Sequence, residues 1–147
     1  MNLDDVLSEW KIDSEINEMA LDEASRDSAK LHSKYLEMFM SSKLHAKRKE
    51  QQLQTLLKQK WLYYNGKMTQ SEIESEGWEF DPFNGMKVLK GDLTYYYDAD
   101  KDIQKIIMQI EYRKALRDTL KEIMENIKWR HQNIGNMIRW RQFTSGV

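Results

Sequence analysis

Apolar residues recur along most of this chain at steps of three and four, the period of a helix that turns one side to a core. The first run is short. Leu3, Val6, Leu7 and Trp10 share a side, Asn2 stands where an N-cap belongs, and Asp13 and Ser14 mark an interruption. A second run predicts a helix from about Asn17 to about Tyr64. Ala24, Ser28, Leu31, Tyr35, Met38, Ser42 and His45 form its stripe, and Leu53, Leu56 and Leu57 carry an apolar side further. Asn65-Gly66 is its stop signal, because glycine enters the left-handed conformation of a helix end without a steric penalty.

The middle of the chain loses this period, since Gly77, Pro82, Gly85 and Gly91 prevent any long regular element. Ser71 to Glu76 predicts one or two helical turns, while Met86 to Leu89 and Leu93 to Tyr97 read as short strands or irregular cover over the helices. Trp78, Phe80 and Phe83 predict a connector docked by its rings, because a disordered segment rarely carries so many.

Helical spacing returns at Asp100 or Lys101 and persists to about Phe143, with Gly135 a place where the last turns can bend. Ile103, Ile106, Ile107 and Ile110 give one apolar patch. Leu116, Leu120, Ile123, Ile127, Ile134 and Ile138 give a second, coiled-coil-like in its steps but out of phase with the first near Tyr112. Met108, Met124, Met137, Trp129 and Trp140 widen the apolar surface beyond one stripe. A helix of that kind needs neighbours on more than one side: the preceding long helix serves one, and a second copy of the chain is the expected use of the other. The second patch, Leu116 to Ile138, is therefore expected to carry self-association. The predicted fold is all-α, a long helical hairpin with an irregular middle segment, oligomerising through its C-terminal helices. In sequence it divides into an N-terminal half at 1–67, a connector at 68–99 and a C-terminal half at 100–147.

Composition sharpens this picture mainly through charge. The formal net charge of -1 over 147 residues conceals a block pattern: residues 1–29 carry -7, 30–67 carry +7, 68–111 carry -6 and 112–147 carry +5. Blocks this lopsided produce local fields that attract a polyanion although the whole chain is nearly neutral. With no cysteine there is neither a disulfide framework nor thiolate chemistry, and a reducing, intracellular setting is the natural expectation. No apolar run approaches the roughly 18 to 20 residues that cross a bilayer, and the acidic start lacks the form of a secretory signal.

The candidate chemistry lies in the +7 block. Lys43, Lys47, Arg48 and Lys49 precede Lys58, Lys60 and Lys67, and eleven residues complete almost three helical turns, so members of the two groups can share one broad side. Such groups would hold phosphates through counterion release, with little regard for sequence. Trp61, Tyr63 and Tyr64 stand among these cations. Exposed rings beside lysines are stacking platforms for unpaired bases. Trp61 and Tyr64 lie three apart and share a face, and Trp61 has the stronger competing reading, as a core residue closing against Trp78 or Phe80; Tyr63 has the weaker one. Lys87 and Lys90, near Tyr95, Tyr96 and Tyr97, repeat the theme as a second contact for the same strand.

Other chemistry is poorly supported. Asp98, Asp100 and Asp102 resemble the opening of a calcium loop but lack its glycine and its late glutamate, and capping of the last long helix explains Asp98 or Asp100 better. His32, His45 and His131 are far apart and no phosphate-binding glycine loop is present, so neither a metal, a cofactor nor an enzymatic activity is expected.

The run Leu57-Lys58-Gln59-Lys60-Trp61-Leu62-Tyr63-Tyr64-Asn65-Gly66-Lys67 resembles the bacteriophage recombination-mediator family typified by UvsY, whose pattern here is Lys-x-Arg-x-x-Tyr-Tyr-x-Gly-Arg. Lys60 and Lys67 replace arginines of that pattern and keep their charge, without the arginine fork. His32-Ser33-Lys34 to Leu36, the segment from Asp98 to Lys105 and the tail from Ile138 to Phe143 extend the likeness over nearly the whole chain. The resemblance implies basic DNA contacts at Lys58 and Lys60 and a tyrosine pair at Tyr63 and Tyr64. It also implies a ring-like homo-oligomer, with single-stranded DNA, a RecA-like recombinase and single-strand-binding protein as partners, no membrane, and the cytoplasm of an infected bacterium as its place. The rival is a self-assembling helical adaptor whose lysines are solvated surface and whose rings are core.

Overall fold

A computed structural model describes residues 1–146, and its secondary structure is entirely helical apart from turns and irregular chain. The helices are α1 (Leu3–Asp13), α2 (Leu21–Tyr64), α3 (Gln70–Ser75), α4 (Leu93–Ala99) and α5 (Lys101–Ser145), with a single 3-10 turn at Lys90–Asp92. The expected long helices are thus present, although α2 begins later than Asn17, after a short turn. Leu93 to Tyr97, read as a possible strand, is helical instead. It continues directly from the 3-10 turn, and Asp100 then leaves the helical conformation before α5 begins. The helix α5 runs unbroken through Gly135.

Contacts divide the chain into two compact units, and the division cuts across the sequential partition at 67 and 99. One unit comprises residues 1–45 and 112–147, the other 46–111. Each therefore takes a part of α2 and a part of α5.

In the first unit, α1 lies against the start of α2 and the second half of α5. Asn2 caps α1 through a reciprocal capping box with Asp5, and the Leu3 N–H donates to the Tyr112 hydroxyl at 2.8 Å. Val6, Tyr35, Leu116, Leu120, Ile123 and Ile127 form the buried core, flanked by Trp10, Leu31, Met38 and Phe39. A smaller cluster joins Leu21 and Ala24 to Ile134, which makes α2 and α5 antiparallel within this unit. Tyr35 packs edge-on to Trp10 and donates its hydroxyl to Asp13, which also receives Lys34. The far end of α1 is closed by Arg130, a buried guanidinium that donates to the carbonyl oxygens of Asp13, Ser14 and Glu15 at 3.1 to 3.4 Å. Those carbonyls would otherwise lack partners, and a cation is favoured at a helix C-terminus.

In the second unit, the organising contact is polar. The Lys60 ammonium lies 2.9 Å from Asp100 and 3.0 Å from Asp102, and the side chains of Lys60 and Asp100 are almost wholly buried. The Trp78 ring covers the same ammonium at 3.8 Å, and Tyr64 donates its hydroxyl to Asp100 at 2.6 Å. The other carboxylate oxygen of Asp100 accepts the Ile103 N–H and so caps α5. Burial pushes the Asp100 pKa up, but the hydrogen bonds from Tyr64 and Ile103 and the Lys60 charge outweigh it and hold the carboxyl below its ordinary value. One residue thus caps the start of α5, receives the cation and anchors the last turn of α2.

Around that contact the connector docks by its rings, as its composition leads one to expect. Trp78 packs on Tyr63, Phe83 on Tyr64 and Tyr96, and Tyr97 on Tyr64, with centroid separations between 4.8 and 6.2 Å. Phe80 is the exception, at 54% exposed. The end of α2 is closed at Gly66 (φ 67°), where the Lys67 N–H bonds back to Leu62 and the Gly66 N–H to Tyr63.

Three outcomes check this account. Leu120→Ala, which opens the core of the first unit, is expected to destabilise the protein by about 2–5 kcal/mol in urea denaturation. Lys60→Ala leaves Asp100 buried without its cation and is expected to cost about 3–5 kcal/mol, whereas Lys60→Arg keeps a cation between the carboxylates and retains most of the stability. Because the folded-state pKa of Asp100 lies below its unfolded value near 3.8, its contribution is complete above that value and is lost as pH falls through the folded one. Denaturation measured between pH 3 and pH 7 should show that acid limb in the native chain and a flatter one in Asp100→Asn.

Candidate nucleic-acid interface

Successive helical residues are turned by about 100°, so Lys58 and Lys60 stand about 200° apart on α2 and cannot both face the same way. The structure places Lys60 inward, at 3% exposure. Its ammonium is already shared by two carboxylates and a ring, and a phosphate could reach it only by dismantling that arrangement. The expectation that Lys60 contacts DNA is therefore corrected: its charge is spent on holding α2 to the start of α5.

The tyrosine pair is corrected in the same way. Tyr63 is 6% exposed, with its hydroxyl donated to the Glu79 carbonyl at 2.6 Å and its ring against Trp78 and Tyr64. Tyr64 is half-buried beneath Phe83, Tyr96 and Tyr97, with its hydroxyl on Asp100. Burial, together for Tyr64 with the bond to Asp100, raises the pKa of both phenols. Trp61, which had the stronger reading as a core residue, is the ring left outside, at 40% exposure. The Lys67 ammonium stands 4.4 Å from its centroid.

On the solvent side of α2 in this unit the remaining candidates form a stripe. Lys47, Gln54, Lys58, Trp61 and Asn65 follow at steps of seven, four, three and four, all exposed, and Lys67 stands two residues past Asn65. Arg48 is exposed on an adjacent side and Lys49 is half-buried. Lys47 lies 3.7 Å from Glu50, whereas Lys58 and Lys67 have no ion-pair partner among the described residues. Lys87 and Lys90, in the connector and the 3-10 turn, are likewise exposed. Lys43 is exposed on α2 within the first unit. Charge and spacing found this stripe; what they lacked was the rotation that separates Lys58 from Lys60.

The last helix requires a further correction. Of the six residues expected to carry self-association, Leu116, Leu120, Ile123, Ile127 and Ile134 are buried within the subunit, and only Ile138 is exposed. They are core because α1 and the first half of α2 already cover that side of α5. The side turned away from the core carries Trp129, Trp140 and Phe143, at 58%, 65% and 75% exposure, with the last two rings stacked at 5.8 Å. These positions were legible as surplus apolar width, though Phe143 was not among those singled out. No group of three or more histidine, aspartate or glutamate side chains among the described residues could hold a metal ion, and no helix is long and apolar enough to cross a membrane.

Comparison with known proteins agrees with this architecture. The chain is 27% identical over 146 residues to the recombination protein uvsY of Enterobacteria phage T4, covering 99% of each chain. It is similar to crystal structures of the bacteriophage T4 recombination mediator protein UvsY. For lattice type II the TM-score is 0.81 at 27% identity, with 99% of this chain and 98% of that one covered. For lattice type IV it is 0.80 at 26%, with 98% and 99% covered. Residues 9–147 match the family model described as the recombination, repair and ssDNA binding protein UvsY, and this chain belongs to that family.

Proposed function

We propose that this chain is a non-enzymatic recombination mediator that binds single-stranded DNA and helps load a RecA-like recombinase onto DNA covered by single-strand-binding protein. The observation that carries the reading is the stripe of Lys47, Lys58 and Lys67 around the exposed Trp61, on the solvent side of a helix whose opposite side is locked by Lys60. Ammonium groups there take phosphates, and the indole takes a base face. Lys87 and Lys90 offer a second contact. The likeness to proteins named for recombination and ssDNA binding supports the same reading.

A few lysines bind a strand weakly, and a ring-like homo-oligomer multiplies them into an array with far greater avidity. Support for assembly comes from α5, where Trp129 and the stacked pair Trp140 and Phe143 are large rings that the subunit itself does not cover. The corrected assembly surface is the exposed set Trp129, Trp140 and Phe143, in place of the buried set from Leu116 to Ile134; Ile138 continues the inward row of Ile127 and Ile134, facing the start of α2. The cytoplasm of an infected bacterium is the setting this function requires.

Fluorescence titration with an oligothymidylate at several salt concentrations tests the DNA reading. Lys58→Ala is expected to leave stability within about 0.5 kcal/mol of the native chain. It should lower the slope of log affinity against log salt by about 0.7, the share of one phosphate contact on a single strand. Unchanged affinity and slope in the Lys58→Ala, Lys67→Ala double variant would sink the site and favour the adaptor. Trp140→Ala with Phe143→Ala is expected to shift sedimentation toward the monomer and to weaken DNA binding with Lys58 intact. A verified monomer that binds as tightly as the native assembly would count against avidity.

A further inference from the structure

The second unit holds a cavity of about 410 Å³ that the basic stripe leads into. Its walls are the Tyr64 ring from α2, Phe80, Pro82 and Phe83 from the connector, and Met86, with Lys87 at the lining beside them. Asn65 and Gly66 also line it. Asn65 is the last member of the stripe from Lys47 through Lys58 and Trp61, and Lys67 directly follows Gly66. A strand held along that stripe is thereby brought to the cavity.

The walls are braced from behind. Phe83 packs edge-on to Tyr96 at 4.8 Å and lies 5.9 Å from Tyr64, whose hydroxyl is fixed on Asp100. The connector between Phe80 and Met86 is closed by its own bonds: the Asp81 carboxylate accepts the Gly85 N–H at 2.8 Å, and the Phe83 carbonyl accepts the Met86 N–H at 3.0 Å. Asp81 and Asn84 hold left-handed backbone (φ 49° and 52°), a conformation these two residue types accept more readily than most. Yet Phe80 and Met86 are more than half exposed, which is a poor use of large apolar side chains if nothing comes to cover them.

We propose that this cavity receives an unpaired nucleobase from the single strand. Its volume falls within the roughly 300–1,000 Å³ of small-molecule sites, and its lining combines rings and apolar side chains with a nearly equal share of polar surface, from Asn65, Asp81 and Lys87 among others. Charge decides what enters and what stays outside. Asp81 at the lining repels a phosphate and Lys87 on the same lining attracts one, so the backbone remains at the rim beside Lys87 and the neutral base goes between the rings. A flat heterocycle matches aromatic walls by stacking. Selectivity between bases does not follow from rings alone, which suits a protein that must accept any sequence. The proposal deepens the single-stranded DNA reading and rests on it.

The test uses the full-length protein and two oligonucleotides of equal length and charge, an oligothymidylate and a strand whose sugars carry no bases. Phe80→Ala and Met86→Ala are the variants, chosen because both side chains are largely exposed. Circular dichroism melting and sedimentation confirm that fold and assembly persist. The native chain is expected to prefer the thymidylate. Phe80→Ala should reduce that preference about fivefold or more, the lower end of base-stacking effects, without altering affinity for the abasic strand. Met86→Ala should act in the same direction, and Lys87→Ala should weaken both strands alike. Trp61→Ala separates the stripe from the cavity: the preference that survives it should be removed by adding Phe80→Ala. The proposal is overturned if the two cavity variants leave the preference intact, as they would if the cavity instead received a side chain of a partner protein. It is equally overturned if Trp61→Ala alone abolishes the preference. Failure of the native chain to bind either strand at low salt would overturn the underlying DNA reading, whereas equal binding of both strands overturns the cavity and the stacking on Trp61 and leaves the phosphate contacts standing.

Discussion

The ammonium of Lys60, held between Asp100 and Asp102 and roofed by Trp78, is the contact on which the second unit depends. Removing a charge from water costs several kcal/mol, and only close, well-satisfied partners offset it. Asp100 meets that demand by accepting from Lys60, Tyr64 and the Ile103 backbone at once. The consequence reaches the surface. With Lys60 pinned inward, the pitch of α2 turns Lys58 and Trp61 outward, and Tyr64, fixed on the same Asp100, contributes to the wall of the cavity beside them. A polar contact in the interior thus sets the orientation of the cationic stripe outside.

The long C-terminal helix shows a division of labour of another kind. Its apolar width exceeds what one subunit can cover. Leu116, Leu120, Ile123, Ile127 and Ile134 are consumed by α1 and α2, with Arg130 in the same inward row holding the end of α1. The opposite side keeps Trp129, Trp140 and Phe143 uncovered. On the proposed reading, coupling assembly to DNA binding requires no signal passed through the subunit: copies joined along α5 would each present the same stripe, and affinity would rise through their number.

Much of this was readable in the residues. Asn2, Asn65-Gly66 and Asp100 mark helix ends by local chemistry that operates wherever those residues stand, and the three-and-four spacing located α2 and α5 to within a few residues. Trp78 and Phe83 disclosed a docked connector. The segment from Leu93 to Tyr97, read as a short strand or irregular cover, misled, because threonine and three tyrosines favour strands, yet no neighbouring strand exists among the described residues to pair with them, and a helix satisfies their backbone locally. Trp61 and Tyr63 were ranked in the wrong order for burial. Their size could not rank them; their neighbours could.

What the sequence determined by itself was therefore everything governed by local spacing: an all-helical chain, a cationic and aromatic cluster at the end of a long helix, and an apolar surplus on the last one. Tertiary structure alone decided which members of those sets are used up inside. Lys60 differs from Lys58 only in meeting Asp100, some forty residues away in the chain, and Ile127 differs from Trp129 only in which side of α5 is already covered. Burial is a property of what packs opposite a residue, and that partner is chosen by the fold, not by the residue's own neighbours in sequence.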